Sequence, residues 1–198
     1  LAAAGHAVLA VDVRGRGELA RPETEVRPGS FHEWFSRDWD IAMACLQLDR
    51  PLVGQRALDI VRSVAALKKL AGGAEVVAVG KGAACVPLLH AALLEDAIGG
   101  VLLEGGLVGW RAMVEEELHR RRMESIVPGA LAAYDLAHLA AALAPRPLTL
   151  VDPTSPVGTA LAPATVRERY ATAAAAYGAL GAPDNLSVVS RPQLMEIT

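Results

Sequence analysis

The chain has 198 residues, of which 53% are hydrophobic and 21% are charged, and its formal net charge is −3. This composition supports one domain with a substantial core and excludes a disordered chain. The weak negative charge excludes the basic footprint of a nucleic-acid-binding protein, and no apolar run reaches the roughly 18 residues of a membrane span. We therefore predict a single domain over residues 1–198, with no nucleic-acid partner and no transmembrane segment.

The first predicted strand covers residues 7–12, where the chain reads Ala-Val-Leu-Ala-Val-Asp. Leu1–Ala4 are typical of a helix end, and Gly5 of its stop. Residues 19–50 are the least regular stretch. This stretch contains three aromatic residues, Trp34, Phe35 and Trp39. They are interpreted either as the lining of a sugar-binding face or as anchors that hold residues 19–50 on the hydrophobic core.

A helix is predicted next, from the segment that begins at Arg50 to the glycine pair Gly72-Gly73. Glycine is the usual residue just past a helix C-terminus. The apolar residues of this helix recur at helical spacing, and they are Ile60, Val61, Val64, Leu67 and Leu70.

The most informative segment is a strand over residues 75–80, a glycine-rich turn, and a helical pattern over Ala84–Leu94. The turn reads Gly80-Lys81-Gly82-Ala83-Ala84. Strand, tight turn and helix in this order are typical of the nucleophile elbow of α/β-hydrolases, written Gly-x-Ser-x-Gly. Gly82 stands where the serine would be, and the N–H of Ala83 would be an oxyanion donor. An ordinary glycine-rich strand-to-helix turn is the alternative interpretation.

Further strands are predicted over residues 98–104, 147–152 and 185–190, with helices between them. Alternation of strands and helices predicts an α/β fold with a mostly parallel sheet flanked by helices. Phrases distributed along the chain resemble the acetyl xylan esterase-like branch of the α/β-hydrolases, which is related to the dienelactone hydrolases. They are Asp12-Val13-Arg14-Gly15-Arg16-Gly17, Arg50–Arg62, Val127–Leu131, Tyr134–Leu136 and Leu143–Asp152.

The resemblance implies an α/β-hydrolase-like fold whose first strand here corresponds to the fourth of the usual eight. The early strands would then be absent from residues 1–198, and the chain would be a fragment or trimmed domain of a longer one. The chain begins with Leu1 and carries no signal sequence, which favours the same interpretation. Many relatives of this esterase type are exported, so export is what the resemblance implies about compartment.

The resemblance also implies a catalytic acid after the seventh strand and a histidine after the last one. Ser155 matches the acid position, and Asp152 is a nearby substitute or an ordinary turn residue before proline. Only residues 191–198 follow the last predicted strand, and none is histidine. Cys85 is interpreted as a small buried hydrophobic residue, one helical turn beyond Gly82.

The five histidines have no spacing that predicts a metal site, and no Cys-x-x-Cys pair is present. We therefore predict no metal and no cofactor. We expect each histidine to be structural or solvent-facing: His6, His32, His90, His119 and His138. Two charged runs follow Trp110, and they are Glu115–Glu117 and Arg120–Arg122. Their spacing predicts a solvent-exposed amphipathic helix with weak ion pairs. The alternative is that the arginines form a basic site that binds an acidic sugar.

The first functional hypothesis is a hydrolase-like domain that has lost its catalytic triad and serves a structural or binding role. Its partner would be an adjacent hydrolase domain or a carbohydrate ligand. The alternative is a carboxylic ester hydrolase, a carbohydrate deacetylase, completed by residues outside this chain. A plain α/β core domain without a ligand is the third hypothesis.

Overall fold

The computed structural model describes residues 5–20, 38–73, 75–117 and 123–191. Four parallel strands form one sheet in the order β1-β2-β3-β4. This arrangement confirms the predicted parallel α/β sheet. The strands are β1 Val76–Lys81, β2 Ile98–Glu104, β3 Leu148–Val151 and β4 Leu186–Val189.

Helices connect successive strands, as parallel pairing requires. Within the described part of the chain they are α1 Asp38–Gln47, α2 Leu52–Leu70, α3 Cys85–Leu94, α4 Trp110–Glu115, α5 Leu136–Leu143, α6 Pro163–Arg169 and α7 Ala171–Ala179. Short 3₁₀ turns lie at Gly17–Leu19, Gly82–Ala84, Met123–Ser125, Ala130–Ala132 and Pro183–Asn185. None of the described helices has both the length and the apolar character needed to cross a bilayer.

The core lies between the sheet and helices α2, α3, α5 and α7. Helix α3 is the most enclosed, since seven of its ten residues are buried. Its partners across the core include Val101, Leu103, Leu148 and Leu150 of the two central strands. A helix that is enclosed in the core in this way is expected to be apolar on almost all sides.

Helix α2 ends as the sequence predicts. Gly72 and Gly73 both adopt positive φ, +69° and +84°, and the Gly73 N–H donates to the Lys68 carbonyl at 3.1 Å. Of the predicted apolar positions, Val64 is buried, but Leu70 is 81% exposed. The buried side of the first half of the helix is formed by Leu52, Val53, Arg56 and Ala57.

A buried ion pair fixes the segment that precedes α2 in space. Arg56 and Asp38 are almost completely buried, at 0% and 1% exposure. The Arg56 guanidinium lies 2.9 Å from Asp38 Oδ1 and donates to Asp38 Oδ2 at 3.0 Å. It also donates twice to the Arg14 carbonyl, at 3.0 and 3.1 Å. Helices α1 and α2 are thereby tied to the loop that contains Arg14.

The predicted strand over residues 7–12 is not a strand. Residues 6–13 have no regular secondary structure and pair with no strand among the residues described. A β-strand is defined by hydrogen bonds to a neighbour, and alternation of apolar residues alone cannot supply one. The prediction was therefore wrong about the pairing of this segment.

The predicted amphipathic helix after Trp110 is also shorter than expected. Helix α4 stops at Glu115, and Glu116 is extended. Three successive glutamates repel one another and lie against the negative end of the helix dipole, which disfavours continuation. Several residues for which the sequence analysis made predictions lie outside the described residues: Leu1–Ala4, His32, Trp34, Phe35, His119 and Arg120–Arg122.

Candidate functional site

The turn after β1 lies at the carboxyl end of the sheet, where open α/β sheets bind their ligands. Gly82 has φ of +56°, and a Cβ built on it would meet nothing within 4 Å. Gly80 differs, because a Cβ there would lie 2.9 Å from Leu88 Cδ2 and 3.3 Å from the Ala84 carbonyl. Gly80 is therefore required for close packing of the strand on α3, whereas Gly82 provides the backbone conformation of the turn.

Cys85 begins α3 beneath this turn and is buried, at 3% exposure. Its Sγ lies 3.3 Å from the Gly80 carbonyl oxygen and 3.4 Å from that of Glu104. On the other side, a Cβ on Gly106 would come within 2.6 Å of the Cys85 Cβ. These contacts confirm the prediction that Cys85 is a buried packing residue.

Four charged residues lie at the ends of the four strands and connect them. The Arg191 guanidinium forms an ion pair with Glu104 at the end of β2. Lys81 Nζ, at the end of β1, lies 3.7 Å from the same carboxylate. The Arg191 backbone N–H lies 3.3 Å from both carboxylate oxygens of Asp152, directly after β3. The strand-end surface is therefore a mixed-charge network and not a patch of one sign.

The structure places the two candidate acid residues in different local environments. Asp152 has φ of +44°, a conformation that Asp tolerates better than most residues, and its carboxylate accepts from the chain that leaves β4. Ser155 belongs to a local turn, in which its N–H donates to the Thr159 carbonyl at 2.8 Å and its Oγ accepts from the Thr159 N–H at 3.3 Å. Strand β2 separates Asp152 from Gly82 in the sheet.

His90 lies on α3, two turns beyond Gly82, and its ring is engaged in packing. Its Nδ1 is 2.8 Å from the Val86 carbonyl and therefore carries the proton, which leaves Nε2 to accept from the Tyr134 hydroxyl at 3.3 Å. The rings of Trp110 and Tyr134 have their centroids 6.0 and 6.1 Å from that of His90. Burial lowers the pKa of His90 below its ordinary value, which favours the neutral form.

The remaining described histidines have structural or exposed positions. His138 forms a capping box with Asp135 at the start of α5, in which His138 Nδ1 accepts from the Asp135 N–H at 3.0 Å. His6 is exposed. In the described ranges, no group of three or more His, Cys, Asp or Glu residues is arranged to hold a metal ion.

Among the described residues, a small cavity lies beneath the turn and a larger one lies beside α4. The one beneath the turn, lined by Cys85, Leu107 and Tyr170, holds only about 10 Å³, which is at most the space for one water. A larger, apolar one of about 300 Å³ is lined by Trp110, Met113, Val114 and residues 126–132. Gly82 lines neither of them.

The roles of Glu104 and Arg191, which organise the strand-end network, were not predicted from the sequence. The available signal was positional, because each is a charged residue where a predicted strand stops. Parallel strands bring such residues to one edge of the sheet. The pairing itself spans 87 residues of sequence and has no local signature.

No protein-family model and no curated protein matches the chain. Among solved structures, it is similar to the crystal structure of a putative acetyl xylan esterase from Bacteroides fragilis, with a TM-score of 0.68 and 19% sequence identity. The match covers 92% of this chain and 46% of that chain, so this chain spans less than half the length of the esterase. At this identity the similarity shows the fold alone, which is an α/β-hydrolase-like parallel sheet with flanking helices.

Proposed function

We propose that this domain retains a hydrolase-like scaffold without the ester-cleaving reaction, and that its role is structural or in binding. The observation that carries the proposal is Gly82. It occupies a strand-to-helix turn at positive φ, as an elbow residue does, but has no side chain that could attack an ester.

The surroundings of the turn support the same proposal. The family resemblance implies a catalytic histidine after the last strand. The described residue that follows β4 at this edge is Arg191, and its side chain is ion-paired with Glu104. The candidate acid Asp152 accepts a hydrogen bond from the backbone of Arg191. Within the described residues, the hydrogen bonds to this carboxylate come from a backbone N–H and not from an imidazole.

Loss of the nucleophile alone removes most of the catalytic power of a triad. Removing the serine of a serine hydrolase lowers kcat by a factor on the order of 10⁶, because the other triad members act only through it. Neither Asp152 nor His90 can compensate, since each makes its hydrogen bonds elsewhere. We therefore expect the domain to have a structural or binding role, with an adjacent hydrolase domain or a carbohydrate as its partner.

The proposal is tested with p-nitrophenyl acetate hydrolysis and labelling by a serine-directed fluorophosphonate. The purified protein is compared with Gly82→Ser, which restores a hydroxyl at the turn, and with Gly105→Ser. Gly105 is a matched control, because it too has positive φ, +65°, and a Cβ there would meet nothing within 4 Å. We expect all three proteins to show background hydrolysis, since the base is missing as well as the nucleophile.

Turnover with fluorophosphonate labelling of the unmodified protein would contradict the proposal and place the nucleophile elsewhere. It would support the alternative function, a carboxylic ester hydrolase of the carbohydrate deacetylase type completed by residues outside this chain. That alternative draws its support from the length of the similar esterase, of which less than half is matched.

A further inference from the structure

A cavity of about 300 Å³ lies beside α4, and the strand-end network does not use it. Trp110, Met113 and Val114 of α4 form one wall, and residues 126–132 form the other. Small-molecule sites have volumes of roughly 300–1,000 Å³, so this cavity is at the lower end of that range. Since an apolar cavity of about 150 Å³ binds one benzene ring, the space beside α4 corresponds to about two fused rings.

The lining of this cavity is apolar. Its described residues are aromatic, aliphatic, methionine, proline or glycine, and none of them carries a charged or hydroxyl side chain. The polar side-chain group among them, the Trp110 indole N–H, already donates to the Ser125 carbonyl at 2.7 Å. A sugar or an ionised group would therefore give up hydrogen bonds to water without a side-chain partner in return. The lining favours a neutral, apolar ligand over a carbohydrate.

The aromatic wall is held in place by contacts within the protein. Besides the indole bond to Ser125, the Trp110 ring makes an edge-to-face contact with Tyr134, with ring centroids 5.6 Å apart. The backbone N–H groups of Trp110 and Arg111 donate to the Asp135 carboxylate at 2.7 and 3.1 Å. The wall therefore loses little conformational entropy when a ligand binds, and a rigid ligand gains most from such a site.

Two further features favour an aromatic ring over an alkyl chain. Met113 is buried beside the cavity, and a thioether sulfur makes favourable contacts with aromatic rings. A flat ring has no internal rotations to lose, whereas an alkyl chain loses freedom about each C–C bond when it binds. The cavity is also accessible, because its lining residues Val114 and Leu131 are 76% and 42% exposed.

We propose that the cavity beside α4 binds a neutral aromatic small molecule of one or two rings. The ring lies against the Trp110 indole and Met113, and residues 126–132 cover its other side. Gly82 does not line this cavity, so the site is separate from the turn. The inference therefore goes beyond the proposed function and does not depend on the loss of ester cleavage.

Isothermal titration calorimetry of the purified protein tests the proposal with 2-naphthol, a neutral two-ring molecule. The aliphatic comparison is 1-octanol, and the carbohydrate comparison is xylose. Ala132→Phe places a ring in the cavity, because Ala132 lines it. Ala133→Phe is the matched control, since Ala133 is the next residue, is also exposed and does not line the cavity. The methyl NMR resonance of Met113 locates the bound ligand independently of either variant.

We expect 2-naphthol to bind with a Kd below about 1 mM and more tightly than 1-octanol. Ala132→Phe should weaken this binding at least about tenfold, and Ala133→Phe less than about twofold, because only the first ring occupies the site. The Met113 methyl resonance should shift with 2-naphthol and stay in place with xylose.

A Kd for 2-naphthol above about 1 mM, or binding of 1-octanol that is equal or tighter, would overturn the proposal. So would equal weakening by the two phenylalanine variants, a Met113 resonance that 2-naphthol leaves in place, or one that xylose shifts. Gly82→Ser alters the turn and not the cavity, so it should bind 2-naphthol as the unmodified protein does. The failure of this proposal is thereby distinguishable from the failure of the proposed function.

Discussion

Replacing Arg56 by methionine tests the buried ion pair that holds the first part of the domain together. Arg56 is completely buried and contacts both carboxylate oxygens of Asp38. It also donates two hydrogen bonds to the Arg14 carbonyl. Methionine is of similar length and apolar, so the substitution removes these polar contacts with little change of volume.

The expected loss follows from what remains around Asp38. Removing one partner of a buried ion pair costs about 3–5 kcal/mol, because the other charge stays buried. Arg16 still donates to Asp38 Oδ2 at 2.6 Å, but its side chain is 46% exposed. It compensates in part, so we expect the lower end of the range, about 3 kcal/mol.

Urea unfolding followed by circular dichroism measures this change. With a slope near 2 kcal/mol per molar urea, the midpoint should fall by about 1.5 M at unchanged slope. Asp38→Asn removes the buried charge, so Arg56→Met combined with Asp38→Asn should be less destabilised than Arg56→Met alone by at least about 1 kcal/mol. The control Arg169→Met breaks an exposed pair with Glu115 and should cost less than about 1 kcal/mol.

A loss below about 1 kcal/mol for Arg56→Met would refute the reasoning. So would a double variant whose loss equals or exceeds the sum of the two single losses. Either result would mean that the Asp38 carboxylate is not held in a low-dielectric environment by Arg56.

Three further predictions concern single residues. Burial lowers the pKa of His90, so the unfolded chain binds a proton where the folded chain does not, and stability should fall as pH drops through about 6.5. His90→Gln should flatten this pH dependence of the unfolding midpoint and the exposed His6→Gln should not; equal slopes would contradict the account. Gly106→Ala should lower the unfolding free energy by about 1–3 kcal/mol in urea titrations, because its Cβ would lie 2.6 Å from that of Cys85, and a neutral result would show that the site can relax. Gly178→Ala, on α7 with nothing within 4 Å, should instead stabilise by about 0.4–1 kcal/mol in the same titration, and destabilisation would indicate a contact that the structure does not contain.

The sequence predicted those parts of the fold that depend on local pattern. The strand predicted over residues 98–104 is β2, Ile98–Glu104, and the segment around Gly82 is a strand, a tight turn and a helix. In both places, residue type and spacing contain the relevant information, because hydrophobic periodicity and glycine conformation are local properties.

The sequence failed where the structure depends on partners distant along the chain. Residues 7–12 have the composition of a strand, but no strand lies beside them in the described residues. The ion pair between Glu104 and Arg191 arises only because parallel strands end at one edge of the sheet. Such relations follow from topology, and a residue pattern within one segment cannot predict them.

The proposed function depends on the turn at Gly82 having the backbone geometry of a nucleophile elbow without the nucleophile. Introducing a thiol tests it most directly, because a cysteine needs less help from a base than a serine does. Gly82→Cys and the matched Gly105→Cys are each mixed with p-nitrophenyl acetate, and the release of p-nitrophenol is followed for a single turnover. We expect a stoichiometric burst for Gly82→Cys that is at least tenfold faster than for Gly105→Cys, without subsequent turnover, since the N–H of Ala83 would stabilise the oxyanion. Equal rates for the two variants would contradict it.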